Sequence, residues 1–235
     1  MRARVTLEPA YLLNRRPYSD SSLLLEAITR GHGRIGLVAR GARGAKSKLR
    51  GLLQPFAPLL LSWNASGELA TLSAAEAAGP PLLLAGERVF FGWYLNELLL
   101  RLLQRQDAHA ALFDAYALAV QQLPGAATQA EDALRMFEKT LLAEIGYGLL
   151  LPDDLDAAQR YHYDADAGPQ PAASDAPQAY AGASLIALRD ERLATAEARR
   201  DARRLLRAAL AAQLGSKPLQ TPLLMREMRE AQDAG

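Results

Sequence analysis

The segment Gly41-Ala42-Arg43-Gly44-Ala45-Lys46-Ser47 is the first place where this chain could do chemistry, because it looks like a phosphate-cradling loop. The spacing excludes nucleotide hydrolysis. A P-loop needs four residues between its glycines so that successive backbone N–H groups wrap the phosphates; only Ala42 and Arg43 lie between Gly41 and Gly44. What remains is glycine-hinged backbone carrying cations at intervals, suited to following phosphates without reading bases. Residues 30–50 hold Arg30, Arg34, Arg40, Arg43, Lys46, Lys48 and Arg50 and no Asp or Glu. Such a run is either a solvated surface loop or a track for a polyanion, of which a nucleic-acid backbone is the commonest. The second group of cations, Arg200, Arg203, Arg204 and Arg207, falls at i, i+3, i+4 and i+7. On a helix these share one face, read as a solvated flank or an extension of the same path.

Other chemistries find little support. The chain has no cysteine, which removes disulfides, thiolate zinc sites, iron-sulfur clusters and cysteine nucleophiles. His32, His109 and His162 lie far apart, without metal-ligand spacing. The carboxylates Asp153, Asp154, Asp156, Asp164 and Asp166 crowd a Pro- and Ala-rich stretch that reads as a solvated, mobile loop. Asn96 and Glu97 stand out because their helix is otherwise apolar; a buried carboxylate must be paired or protonated, so Glu97 is expected to brace against an arginine. Phe56 and Trp63 are read as core residues, or as base-stacking platforms if exposed. No cofactor is expected.

The elements that must position these groups divide at Pro80-Pro81. Residues 1–80 hold 11 basic and 5 acidic side chains and residues 81–235 hold 16 and 21, so a net charge of +1 is a cancellation. Before the prolines, apolar runs at 22–29, 34–39, 59–63 and 68–73, with turns at 31–33 and 64–67, predict about five short strands in a small barrel, OB-fold or SH3-like. After them, helical periods predict a central bundle helix over 86–106, a second helix over 109–123 and a third from Thr128, with Glu131 completing a capping box and Gly146 and Gly148 ending it. Residues 152–182 hold at most one small hairpin at Tyr161-His162-Tyr163; a helix over 196–214 and a short one after Pro222 complete the chain. The fold class is α+β. No apolar stretch of about 18 residues could span a bilayer, and no secretory signal follows Arg2 and Arg4; a cytoplasmic protein is expected, with no membrane partner.

Several blocks carry a resemblance. Gly33-Arg34-Ile35-Gly36-Leu37-Val38-Ala39-Arg40-Gly41-Ala42-Arg43, Lys46-Ser47-Lys48-Leu49-Arg50-Gly51 and Leu53-Gln54-Pro55-Phe56 closely resemble the N-terminal signature of the bacterial recombination mediator family RecO. Tyr94-Leu95-Asn96-Glu97-Leu98, Leu134-Arg135-Met136-Phe137-Glu138 with Gly146-Tyr147-Gly148, and Leu214-Gly215-Ser216-Lys217-Pro218-Leu219 are similar to that family's helical region in order and spacing. The resemblance spans nearly the whole chain. It implies an N-terminal OB-fold over residues 1–80, an all-helical domain over 81–235, and no enzymatic activity. It also implies binding of single- and double-stranded DNA, strand annealing, association with RecR, contact with the acidic tail of single-stranded DNA-binding protein, and through these the loading of RecA. Many relatives carry a four-cysteine zinc module where residues 152–182 stand here without cysteine. An acidic tail ending in an apolar residue needs an apolar pocket among cations, for which Tyr94, Arg101, Arg135, Phe137 and Lys139 are the candidates. An OB-fold RNA-binding module and an adaptor that touches no nucleic acid are the competing readings.

Overall fold

The computed structural model describes residues 4–65 and 69–233. Five strands close a barrel: β1 (Arg4–Tyr18), β2 (Ser22–Thr29), β3 (Gly33–Ala39), β4 (Leu59–Asn64) and β5 (Ala70–Ala77). Their order is β1-β2-β3-β5-β4, with β1 closing on β4 and a parallel contact between β3 and β5 at Leu37–Ala70 and Val38–Thr71. That is the OB topology, which the strand pattern alone left undecided. Of the turn expected over 64–67, residues 66 and 67 lie outside the described residues, as does Glu68, the first residue of the expected returning strand.

Alternation fills the barrel. Leu23, Leu25 and Ala27 of β2 and Ile35, Leu37 and Ala39 of β3 point inward with Leu12, Leu59, Leu61 and Trp63. In β1 Ala10, Tyr11, Leu12 and Leu13 are buried in succession, as are Leu23, Leu24 and Leu25 of β2, which requires cover on both faces of the strand. The outer cover includes α3 (Ala110–Gln122), whose Phe113 and Tyr116 rings lie 5.7 and 5.3 Å from that of Tyr11. Between β3 and β4 the chain forms α1 (Leu49–Leu52), a single turn that packs on β5.

The helix α2 (Glu87–Leu102) is not the centre of a bundle, as its apolar circumference suggests, but lies against β1 on one side and a later helix on the other. Gly92 permits the approach, since a Cβ there would sit 2.6 Å from the Phe56 ring. Its polar residues are both engaged. Asn96, 1% exposed, donates from Nδ2 to the Leu13 carbonyl at 2.9 Å and accepts from the Tyr116 hydroxyl at 2.6 Å. Leu13 is the extra residue of a β-bulge, between Leu12 opposite Ala27 and Asn14 opposite Glu26, so Asn96 satisfies backbone that the ladder leaves open. Burial pushes the Tyr116 hydroxyl far above the usual phenol range, which keeps it a donor.

Glu97 meets no arginine brace. Its carboxylate accepts from the backbone N–H groups of Gln220 and Thr221, at 2.7 and 2.9 Å. Those residues open α7 (Gln220–Asp233), which begins two residues before Pro222 rather than after it. Pro222 fits in the first turn because its missing N–H would have no intrahelical partner there. The chain packs as two compact units: one contains the barrel, α2, α3 and α7, and the other is Gly125–Pro218.

In the second unit, α4 (Ala127–Glu144) lacks the expected capping box. Ala126 is the N-cap and Thr128 already lies inside the helix, so its hydroxyl cannot serve the first turn. The end is as the glycines predict: Gly146, at φ +86°, donates to Ala143 O at 3.1 Å and Tyr147 to Leu142 O at 2.8 Å, a Schellman closure. Residues 152–182 form neither a mobile loop nor a lone hairpin. They build a three-stranded antiparallel sheet of β7 (Gly168–Ala172), β6 (Arg160–Asp164) and β8 (Tyr180–Ala181) in that order, followed by α5 (Gly182–Arg189). Pro169 and Pro171 are tolerated because β7 is an edge strand, and Asp164 Oδ1 accepts from the N–H groups of Asp166 and Ala167 to close the turn. Against these packs α6 (Ala196–Leu214), capped by Thr195 at its start and Gly215 at its end.

Two stability outcomes follow from the paired polar groups. Tyr116→Phe removes the donor to Asn96 and is expected to cost about 1–2 kcal/mol in denaturant unfolding, with barrel and helices losing structure together. Glu97→Ala is expected to cost about 1 kcal/mol and to speed amide exchange first in the opening turn of α7.

Candidate nucleic-acid interface

The basic run begins where β3 stops. After Ala39 the chain enters successive turns: Gly44 N–H to Gly41 O at 3.1 Å, Ser47 to Gly44 at 3.0 Å and Arg50 to Ser47 at 3.2 Å. Gly41 takes φ +67°, a conformation that favours glycine. Ala42 and Leu53 are buried in the barrel core and anchor the segment at both ends. Just before the first anchor Arg40, and between the two Arg43, Lys46, Lys48 and Arg50, are all exposed. Arg43 has one fixed contact, its guanidinium donating to Ser19 O at 3.0 Å, which leaves most of its five donors available. The other four make no side-chain hydrogen bond or ion pair with any described residue.

Arg34 departs from the expectation. Its guanidinium donates to the Leu100 carbonyl and its Nε faces Glu26 at 3.9 Å, while Arg105 also pairs with Glu26. Burial lowers its pKa from the ordinary guanidinium value. Arg34 therefore ties β3 to α2 and is not part of the exposed path.

Beside that path lies an open cavity of about 520 Å³, lined among others by Tyr18, Ser19, Ser21, Ser22, Arg40 and Thr71. Tyr18 is 46% exposed. Sequence reasoning passed over it, although an aromatic closing a strand before Ser19-Asp20-Ser21-Ser22 was a signal. A second cavity, about 340 Å³ between β1, α2 and α7, is lined by Leu13, Phe90, Trp93 and Leu224 and, among the described residues, by no cation. Phe56 and Trp63 are buried core residues, and stacking on them is excluded.

On α6 the expected face exists, with Arg200, Arg203, Arg204 and Arg207 exposed. Arg204 is partly engaged: it lies 4.1 Å over the Tyr180 ring and donates to Ala179 O at 3.1 Å. The neighbouring Arg199 forks onto Asp132 at 2.8 and 3.1 Å.

The expected acidic-tail residues divide between the two compact units. Tyr94 and Arg101 are half-buried on α2, in the first compact unit, and Arg135, Phe137 and Lys139 are on α4, in the second. Phe137 is 1% exposed and belongs to the core, Arg135 pairs at 2.6 Å with Glu138, itself 2% exposed, and Lys139 bridges Arg189 O at 2.8 Å and Glu191 at 2.9 Å. These three hold the second unit together and leave no apolar pocket with free cations on α4. His32 stacks edge-on to Trp63 at 5.3 Å, His109 lies 3.3 Å from Asp107, and His162 is exposed.

The whole-chain comparisons agree with this architecture. Residues 1–81 match the family model described as "Recombination protein O N terminal" and residues 84–222 the one described as "Recombination protein O C terminal". The chain belongs to the RecO family. Proteins called "DNA repair protein RecO" from Methylococcus capsulatus and Nitrosococcus oceani are each 45% identical to it, over 95% and 96% of this chain and 94% and 95% of theirs. The one from Coxiella burnetii is 42% identical over 96% of this chain and 100% of its own. The RecO family is one of DNA repair and recombination, and the N-terminal match coincides with the OB barrel.

The four-cysteine zinc module that the resemblance raises does not fit this chain. It has no cysteine, and among the described residues no group of three His, Asp or Glu could hold a metal ion. The small sheet β6–β8 occupies that stretch of sequence, closed by Asp164 and by the Tyr161 and Tyr163 hydroxyls, which accept from the N–H groups of Asp156 and Leu150 at 3.0 and 2.8 Å. Nor is any helix among the described residues long and apolar enough to cross a membrane.

Because Arg135 supplies a guanidinium to a buried carboxylate, Arg135→Ala is expected to cost about 3 kcal/mol in thermal unfolding. Its DNA affinity, measured below the transition, should match the wild type.

Proposed function

We propose that this RecO-family protein is a DNA-binding recombination mediator that anneals complementary strands and makes and breaks no covalent bond. The observation that carries the reading is the row of exposed cations Arg40, Arg43, Lys46, Lys48 and Arg50 on the rim of an OB barrel, four of them without a described partner. Five like charges held within 11 residues repel one another, and a polyanion relieves that repulsion. Neutralising the phosphates of two strands lowers their mutual repulsion in turn, so that pairing proceeds on the protein surface. Backbone contact of this kind carries little sequence preference. Arg200, Arg203 and Arg207 on α6 are a second surface on which a strand can continue.

In this reading RecR joins the protein on DNA, and RecA loading follows on strands coated by single-stranded DNA-binding protein. The acidic tail of that protein is received on the α2 side of the first unit, where Tyr94 and Arg101 share a helix flank seven residues apart. Arg135, Phe137 and Lys139 have no part in it, for the reasons of burial and pairing given above. The protein works inside the cell, where its DNA is.

The test is fluorescence anisotropy of a labelled single strand against salt. With about five phosphates engaged, the log–log slope is expected near −3.5, from roughly −0.7 per contact. Changing Arg40, Arg43, Lys46 and Lys48 together to Glu should abolish binding at moderate salt. Unchanged affinity in that variant would move the DNA off the barrel rim, and a wild type that binds no DNA would leave the adaptor reading.

A further inference from the structure

The cations of the rim are indifferent to whether a strand is paired, yet the cavity beside them is not built for phosphate alone. Tyr18 ends β1, opposite Ser22 across the hairpin, and its ring has no aromatic or cationic neighbour among the described residues. The loop that follows is fixed in place. Ser19 takes φ +53°, and Arg43 clamps both sides of the turn, its guanidinium on Ser19 O at 3.0 Å and its N–H on Ser21 O at 2.9 Å.

The resulting cavity of about 520 Å³ offers one aromatic face, the Arg40 guanidinium, and the hydroxyls of Ser19, Ser21, Ser22 and Thr71, and among the described residues no carboxylate lines it. A flat π surface, a cation and a ring of groups that can both donate and accept match the three parts of a nucleotide: base, phosphate and the polar edges of base and sugar. The aromatic selects for a base with a free face. In a duplex both faces of every internal base are already stacked, so only an unpaired nucleotide can use it.

Resting on the proposed DNA-binding function, we infer that the Tyr18 cavity takes one unpaired nucleotide of the bound strand, its base stacked on the Tyr18 ring and its phosphate on Arg40. Tyr18 is thus the group that distinguishes single strands from duplex, while Lys46, Lys48 and Arg50 hold either. During annealing a base must leave this ring to pair, so the subsite holds a strand in a form ready to be exchanged.

The experiment compares wild type, Tyr18→Ala and Tyr18→Phe on three probes of equal length: a single-stranded oligodeoxynucleotide, its duplex, and a strand of abasic sugar-phosphate. Alanine is expected to weaken the single strand about tenfold or more, the scale of one lost base–aromatic stack. Phenylalanine should keep near wild-type affinity. Duplex and abasic strand should bind all three proteins alike, which also shows that the variants are folded. Unchanged single-strand affinity in Tyr18→Ala overturns the inference while leaving DNA binding intact. So does an equal loss on the abasic strand, or a phenylalanine variant as weak as alanine. A wild type that binds none of the three probes overturns the underlying function instead.

Discussion

The buried amide of Asn96 is the contact on which the barrel and its two helices depend. β1 pairs with both β2 and β4 and bulges at Leu13, and a bulge leaves a carbonyl outside the ladder. In an apolar interior that carbonyl must find a donor. Asn96 supplies it from α2, and the Tyr116 hydroxyl of α3 completes the amide. One side chain thus fixes two helices to one strand at a defined height. Apolar packing of Tyr11 on Phe113 and Tyr116, and of Phe56 on Gly92, then surrounds the bridge. The barrel and its helices hold together at a polar point where a shift in register would bury unpaired groups.

That anchoring explains how the protein can keep a cluster of unpaired cations. Many basic side chains elsewhere are tied to specific partners: Arg30 to Asp114, Arg105 and Arg34 to Glu26, Arg135 to Glu138, Lys139 to Glu191, Arg199 to Asp132. Between Arg40 and Arg50 there is no carboxylate to pair with, and the segment is pinned by Ala42 and Leu53 instead. The repulsion this creates weakens the free protein and favours any polyanion that screens it. The contrast between tied and untied cations is a stronger indicator of the binding surface than net charge, which cancels along the chain.

Much of this was legible in the sequence because alternation and glycine placement encode it locally. The strands at 22–29 and 33–39, the Gly146 closure of α4 and the whole of α6 follow from periods and caps that neighbouring residues determine. The failures have a common cause in long-range pairing. Glu97 caps a helix that begins 123 residues later. Arg34 is drawn inward by the Leu100 carbonyl, and Phe137 and Lys139 are committed to their own unit; no window of sequence shows these contacts. The stretch 152–182 misleads by composition, since prolines that break a central strand are harmless on the edge strand β7. Thr128 misleads by motif, because its spacing to Glu131 is that of a capping box while the helix starts one residue earlier. Tyr18 is overlooked for the opposite reason: its neighbours are polar, and only the fold shows its ring to be exposed beside the cations.

The central claim is that DNA runs over the barrel rim, along the turn after β1 and the segment from the end of β3 to α1. Amide hydrogen exchange of the full chain, with and without a saturating single-stranded oligonucleotide, tests it most directly. The account predicts slowed exchange at residues 18–22 and 38–51, with the β6–β8 sheet unchanged. Protection confined to α6 and the second unit, with the rim exchanging as in the free protein, would contradict it.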